Sequence, residues 1–186
     1  AHWSFDSDYS SSVNDQLYQG TPIVASAGGP TVHSDSANSG GAPYVPSVFD
    51  VVHDGGGRTS FYAGWDGFNF IDTSWDEDSG APHALGSDKI DEYVLVTDDM
   101  IEAQTTKLLD DLTLDPSDYT LLHWHETDSR GHGSGWTSSS YKNAVLRVDA
   151  QLGRLIDHIN SDPMLADNTA IILTADHGGF GNGHGD

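Results

Sequence analysis

Two Asp/His pairs in this chain have the donor types of a metal site. Asp128 and His132 stand four residues apart in Glu126-Thr127-Asp128-Ser129-Arg130-Gly131-His132, and Asp176-His177 leads into Gly178-Gly179. A further histidine, His184, lies in Gly181-Asn182-Gly183-His184-Gly185-Asp186. Carboxylate oxygen and imidazole nitrogen together suit zinc or a similar first-row divalent ion. Taken singly, each group has a plainer reading. An Asp-His dipeptide after a strand caps a turn, an Asp and a His four apart in a loop make a solvated turn, and His184 is a loop histidine. Their joint placement at the ends of two predicted strands, with a long helix between, favours the metal reading, because functional groups in open parallel sheets gather just past the carboxyl ends of strands. The glycines are expected to let the backbone turn sharply and to leave room for an ion and its ligand.

The elements that must position these groups follow from the apolar pattern. Pro46 to His53 predicts a short helix with Ser47 near its N-cap, stopped by Gly55-Gly56-Gly57. Arg58 to Trp65 predicts a strand, and a Gly/Asp-rich loop is expected from Asp66 to Ser87. A helix is expected from about Asp98 to Leu112, then a strand over Tyr119 to His125. From Ser138 to Asn160, Tyr141, Ala144, Val145, Val148, Leu152, Leu155, Ile156 and Ile159 recur at i, i+3, i+4, i+7, the stripe of a helix packed on a sheet. Thr169 to Ala175 is a near-continuous apolar run, as in a strand buried on both faces. Strand and helix in alternation indicate an α/β fold with a mainly parallel sheet flanked by helices. Residues 1–45 are a loop-rich N-terminal segment, and 46–186 form the α/β domain.

Composition narrows the partners. The 186 residues carry 29 Asp+Glu against 7 Lys+Arg, a formal net charge of −22. Nucleic acid duplex binding is excluded, because phosphate contacts need clustered Lys and Arg. No apolar run approaches the roughly 20 residues of a membrane span. The acid is 25 Asp and only 4 Glu, a balance that suits a saline, extracellular or periplasmic setting where salt screens self-repulsion. Cysteine is absent, so neither disulfides nor thiolate chemistry is available. Among other residues, His123 and His125 flank Trp124 on one strand face and are expected to be packed or hydrogen-bonded, and His158 is a surface residue. Asp72 to Gly80 reads as a solvated acidic loop rather than a calcium site. Trp65, Phe68, Phe70 and Trp75 are expected to pack in the core.

The stretches Asp128-Ser-Arg-Gly-His132-Gly-Ser-Gly, Ala144-Val145-x-x-Val148-Asp149-x-x-Leu152-Gly153-x-Leu155-Ile156 and Thr174-Ala175-Asp176-His177-Gly178-Gly179 resemble the alkaline phosphatase superfamily. Within it they are most similar to the type I phosphodiesterase/nucleotide pyrophosphatase branch. Pro46-Ser-Val-Phe49, Gly57-Arg-Thr59 and Phe61 are similar to the segment ahead of that core. The resemblance covers roughly residues 45–186. It implies two divalent metal ions, zinc foremost, and a small phosphoester or nucleotide substrate. It assigns Asp128 and His132 to one ion, Asp176 and His177 to the other, and His184 to the later histidine of shorter family members. The implied reaction is hydrolysis of a phosphodiester or pyrophosphate bond, with a Thr or Ser side chain attacking phosphorus in line. The departure lies ahead of residue 45. Ile23-Val24-Ala25 does not end in Asp, and Thr21 and Thr31 lack the family's surroundings. The catalytic nucleophile is therefore not found, and the expectation is an alkaline-phosphatase-like fold incomplete at both ends, inactive by itself. Alternatives are a phosphomutase or sulfatase of the same superfamily, or a non-catalytic surface protein retaining the fold.

Overall fold

Five consecutive residues, Thr59–Ala63, are buried on both faces and form the central strand β1. In this computed structural model the described residues are 47–69, 71 and 89–184. The chain divides into two units, Ala1–Thr59 with Asn69–Asp91, and Ser60–Phe68 with Glu92–Asp186.

In the first unit the described part holds helix α1, Val48–Asp54. The carboxylate of Asp50 accepts from the Ser47 N–H at 2.7 Å and the Ser47 hydroxyl at 2.8 Å, which ties the first turn to its cap. Lys89 is buried and pairs with Asp54. The Thr59 N–H donates to Asp91 Oδ2 at 2.7 Å, and its hydroxyl to the Lys89 carbonyl at 2.6 Å.

The second unit is a small parallel sheet flanked by helices. After β1 comes a 3-10 turn, Asp66–Phe68, then β2, Glu92–Leu95. Helix α2, Ile101–Leu114, leads to β3, Tyr119–Leu122. Helix α3, Glu126–Ser134, the long helix α4, Ser139–Ser161, and the short α5, Pro163–Ala166, follow. The strand order is β2-β1-β3, and β1 pairs with β2 in parallel, Ser60 with Glu92 through Ala63 with Leu95. Phe61, fully buried, meets Phe68 edge-on at 5.7 Å and Tyr93 at 5.6 Å. Burial of such a ring contributes roughly 1.5–3 kcal/mol. Tyr62 donates its hydroxyl to Asp111 Oδ2 at 2.5 Å, joining β1 to α2. The Ser138 hydroxyl caps α4 by accepting the Tyr141 N–H at 3.1 Å.

Several expectations change. Helix α2 begins at Ile101 rather than near Asp98, because Asp98 and Asp99 have φ of 61° and 54°, outside the helical region. The segment 126–132 is helical rather than loop, so Asp128 and His132 lie one turn apart on α3. Strand β2 was not anticipated. The greatest difference is at 169–175, which is not a strand. Its Ile171, Ile172 and Leu173 are 45%, 90% and 66% exposed. A strand exists only where a neighbour pairs its N–H and C=O groups, and among the described residues none does so here. The stripe of α4 is also only partly covered: Ala144 and Ile159 are buried while Val145 and Ile156 are exposed. Expectations for residues 1–45, Phe70 and Asp72 to Gly80 fall outside the described residues.

Candidate metal centre

Strand β3 delivers the chain to His123, Trp124 and His125, and α3 starts at the next residue. Helical spacing then places Asp128 and His132 on one face. The chain returns after α5, and the turn at 180–183 folds back on α3. The Trp136 N–H donates to the Gly181 carbonyl at 3.0 Å, and the Asn182 side-chain amide donates to the His132 carbonyl at 2.9 Å. These bonds carry His177 and His184 to α3.

Three imidazoles converge on one carboxylate oxygen. Asp128 Oδ1 lies 3.3 Å from His132 Nε2, 3.4 Å from His184 Nε2 and 3.8 Å from His177 Nε2. His132 Nε2 and His184 Nε2 are 2.7 Å apart. Asp128, His177 and His184 alone place one ligand atom each within 4.8 Å of one another. The tautomers are set from outside the cluster. His132 Nδ1 is 2.8 Å from the Asn182 carbonyl and His177 Nδ1 is 3.0 Å from the Gly178 carbonyl. A carbonyl only accepts, so each Nδ1 carries its proton, and in the neutral ring each Nε2 turns a lone pair toward Asp128. Asp128 Oδ1 is itself buried and has no hydrogen-bond partner among the described residues. Lone pairs thus converge at a buried orphan acceptor, an arrangement that fits a divalent cation and costs free energy without a positive charge.

Asp176 is 70% exposed and places Oδ2 3.3 Å from His177 Nε2, so that imidazole stands between two carboxylates. All five residues read from the sequence therefore fall in one neighbourhood, with His177 shared rather than set apart with Asp176. Thr21 and Thr31, which lack the family's surroundings, lie outside the described residues. His123 is buried deep enough that its ring is held below the ordinary histidine range, with His125 nearby adding to the effect. Its ring packs edge-on against Phe68 at 4.6 Å, a packing histidine as expected. Beside the cluster a cleft of about 370 Å³ is bordered by Trp65, Asp66, Asp99, His125 and Ser129.

Trp136 was missed by sequence reasoning. Its indole lies against His132, His177 and His184 at ring separations of 5.9, 6.1 and 6.4 Å. A Cβ on Gly179 would come within 1.9 Å of that indole, and one on Gly131 within 2.7 Å. These two glycines make room for tryptophan, not for an ion. The available signal was a lone tryptophan beside a glycine-rich helix.

A small parallel sheet with an Asp/His cluster beyond a strand end has the architecture of an alkaline-phosphatase-like α/β protein. The chain belongs to the type I phosphodiesterase/nucleotide pyrophosphatase family, whose profile matches residues 6–181. It is also similar to the GPI ethanolamine phosphate transferase 1 of Yarrowia lipolytica, 31% identical over 108 residues. The alignment takes in 54% of this chain and 12% of that protein's length. No solved structure matches the chain. Family membership supports phosphoester hydrolase or transferase chemistry, and the family is typically metal-dependent.

Proposed function

We propose that this chain carries the metal-binding part of a phosphoester hydrolase site, with zinc held by Asp128, His132, His177 and His184. The carrying observation is the buried, unpartnered Asp128 Oδ1 facing three imidazole Nε2 atoms. Imidazole nitrogens and a carboxylate oxygen are donors that zinc takes. When bound, the ion supplies a Lewis acid that draws charge from a phosphoryl oxygen. The protein's own part is to hold the ligands ready. The Asn182 and Gly178 carbonyls keep the Nε2 lone pairs inward. Trp136 backs the three rings, and the half-exposed His184 leaves a side open to a substrate. Asp176 is the residue available for a second ion, as the family resemblance implies.

Family membership supports a phosphodiester or pyrophosphate as the substrate class. The second reading is transfer of a phosphoester group to an acceptor other than water, favoured by the relative named as an ethanolamine phosphate transferase. Zinc titration against a competing chelator tests the site. Asp128→Asn keeps the shape and removes the charge, and should weaken zinc binding by at least about 10-fold. Equal affinity in wild type and variant would overturn the assignment. Trapping of phosphorylated product on an added alcohol, against release of free phosphomonoester in water, separates transferase from hydrolase.

A further inference from the structure

The two carboxylate oxygens of Asp128 have different surroundings. Oδ1 faces the three imidazoles, whereas Oδ2 lies 3.3 Å from Nε2 of a fourth histidine, His125. That residue is the N-cap of α3, with φ −84° and ψ −17°. Its other nitrogen, Nδ1, is 3.7 Å from Asp99 Oδ1. Asp99 is fixed in turn. Its Oδ2 accepts from the Ser129 hydroxyl at 2.9 Å and lies 3.5 Å from Arg130 Nη2.

Three further features hold the imidazole. The Trp65 ring is stacked on it, 6.0 Å between centroids and 13° between planes. Gly64 allows the close approach at the end of β1, since a Cβ there would stand 2.6 Å from the His123 carbonyl oxygen and 2.9 Å from the His125 nitrogen. The turn that presents Asp99 uses left-handed backbone at two consecutive residues with side chains, Asp98 and Asp99. Such backbone is held only where surrounding contacts over-determine it.

We infer that His125, backed by Asp99, is a positioning residue for the metal ligand Asp128. His125 engages Oδ2 and so directs Oδ1 into the cluster of His132, His177 and His184. This rests on the zinc reading above. Outer partners of this kind typically change metal affinity about 10- to 100-fold when removed, because an unheld carboxylate must give up rotamer freedom on binding.

The test uses the full chain, with zinc affinity by chelator competition, the visible spectrum of the cobalt-substituted protein, and melting of the metal-free protein. His125→Phe keeps a ring on Trp65 and loses the donor. His125→Gln loses the ring and keeps an N–H able to reach Oδ2. A positioning role predicts about 10- to 100-fold weaker zinc binding and an altered cobalt band for the Phe variant, with affinity partly restored in the Gln variant. A packing role predicts the reverse order, and that order would overturn the inference. Asp99→Asn should weaken binding in the same direction but less, and unchanged affinity in both Asp99→Asn and His125→Phe would also overturn it. Failure of the wild type to bind zinc would instead remove the proposed metal site, and this inference with it.

Discussion

At the residue scale, charge in the wrong place is as informative as charge in the right one. Asp50 on α1 is 3% exposed, and its carboxyl is pushed up to about 6, chiefly by burial. Hydrogen bonding from Ser47 and the charge of Lys89 oppose that rise. The folded state therefore holds this proton more tightly than the unfolded chain, whose carboxyl titrates near 3.8. Stability from this group is highest below the unfolded value, declines as pH rises from about 4 to about 6, and is level above. Asp50→Asn keeps an oxygen for Ser47 and carries no charge. It should gain about 2 kcal/mol over wild type at pH 7.5 relative to their difference at pH 4. Denaturant unfolding of both proteins at the two pH values checks this. A difference independent of pH would mean that the buried carboxyl is not strained.

At the scale of elements, Arg147 links three helices. From α4 it donates to Glu102 of α2 through Nε at 3.1 Å and Nη2 at 2.7 Å, and to Glu126 at the start of α3. Glu126 is 2% exposed, and burial holds its carboxyl above the ordinary range, with Arg147 the main opposing influence. Arg147→Met would leave that buried carboxylate without its principal counter-charge. The expected loss is about 2 kcal/mol near pH 7.5, shrinking as pH falls and Glu126 takes up a proton. Equilibrium unfolding at pH 7.5 and pH 4.5 measures both parts. These tertiary ties also explain what was legible in the sequence. Helix α4 was, because a 3.6-residue stripe is a local signal, and β1 was, because Thr59, Phe61 and Tyr62 favour strands and follow the glycine stop at 55–57. Helix α3 was not. Glu126–Ser134 has two glycines and no apolar stripe, and it is fastened by Arg147 and by Trp136 against Gly131. The four residues of β2 are too few to show a period. The run at 169–175 has the propensity of a strand, but propensity does not say whether a neighbour will pair. Around Asp128, residue types pointed to five side chains that the fold brings into one neighbourhood. The sharing of His177 and the parts played by Trp136, Asp99 and His125 depend on contacts far apart in sequence.

At the scale of the whole molecule, the net charge of −22 sets the response to salt. Several of the few cations are already shared. Lys107 lies 3.0 Å from Glu92 and 2.5 Å from Asp111, Arg130 lies between Asp99 and Glu126, and Arg147 joins Glu102 and Glu126. Salt acts on both sides of this balance. It weakens the exposed pairs such as Lys107 with Glu92, each contributing only about 0–1 kcal/mol, and it weakens repulsion among the 29 acidic residues that 7 basic ones leave largely unmatched. The second effect wins because the number of like-charged pairs grows roughly with the square of the excess, while attractive contacts grow with the count of cations. Screening length falls from about 30 Å at 0.01 M to about 3 Å at 1 M, so repulsion that spans a domain at low salt is confined to immediate neighbours at high salt. The melting temperature should therefore rise between 0.01 M and 1 M sodium chloride. Most of the rise should come by a few tenths molar, where the screening length drops below the spacing of surface charges. Potassium chloride should match sodium chloride, whereas sulfate should stabilise further by strengthening apolar burial. A flat or falling melting temperature in chloride would mean that ion pairs, not repulsion, dominate the surface, and would count against a saline working environment.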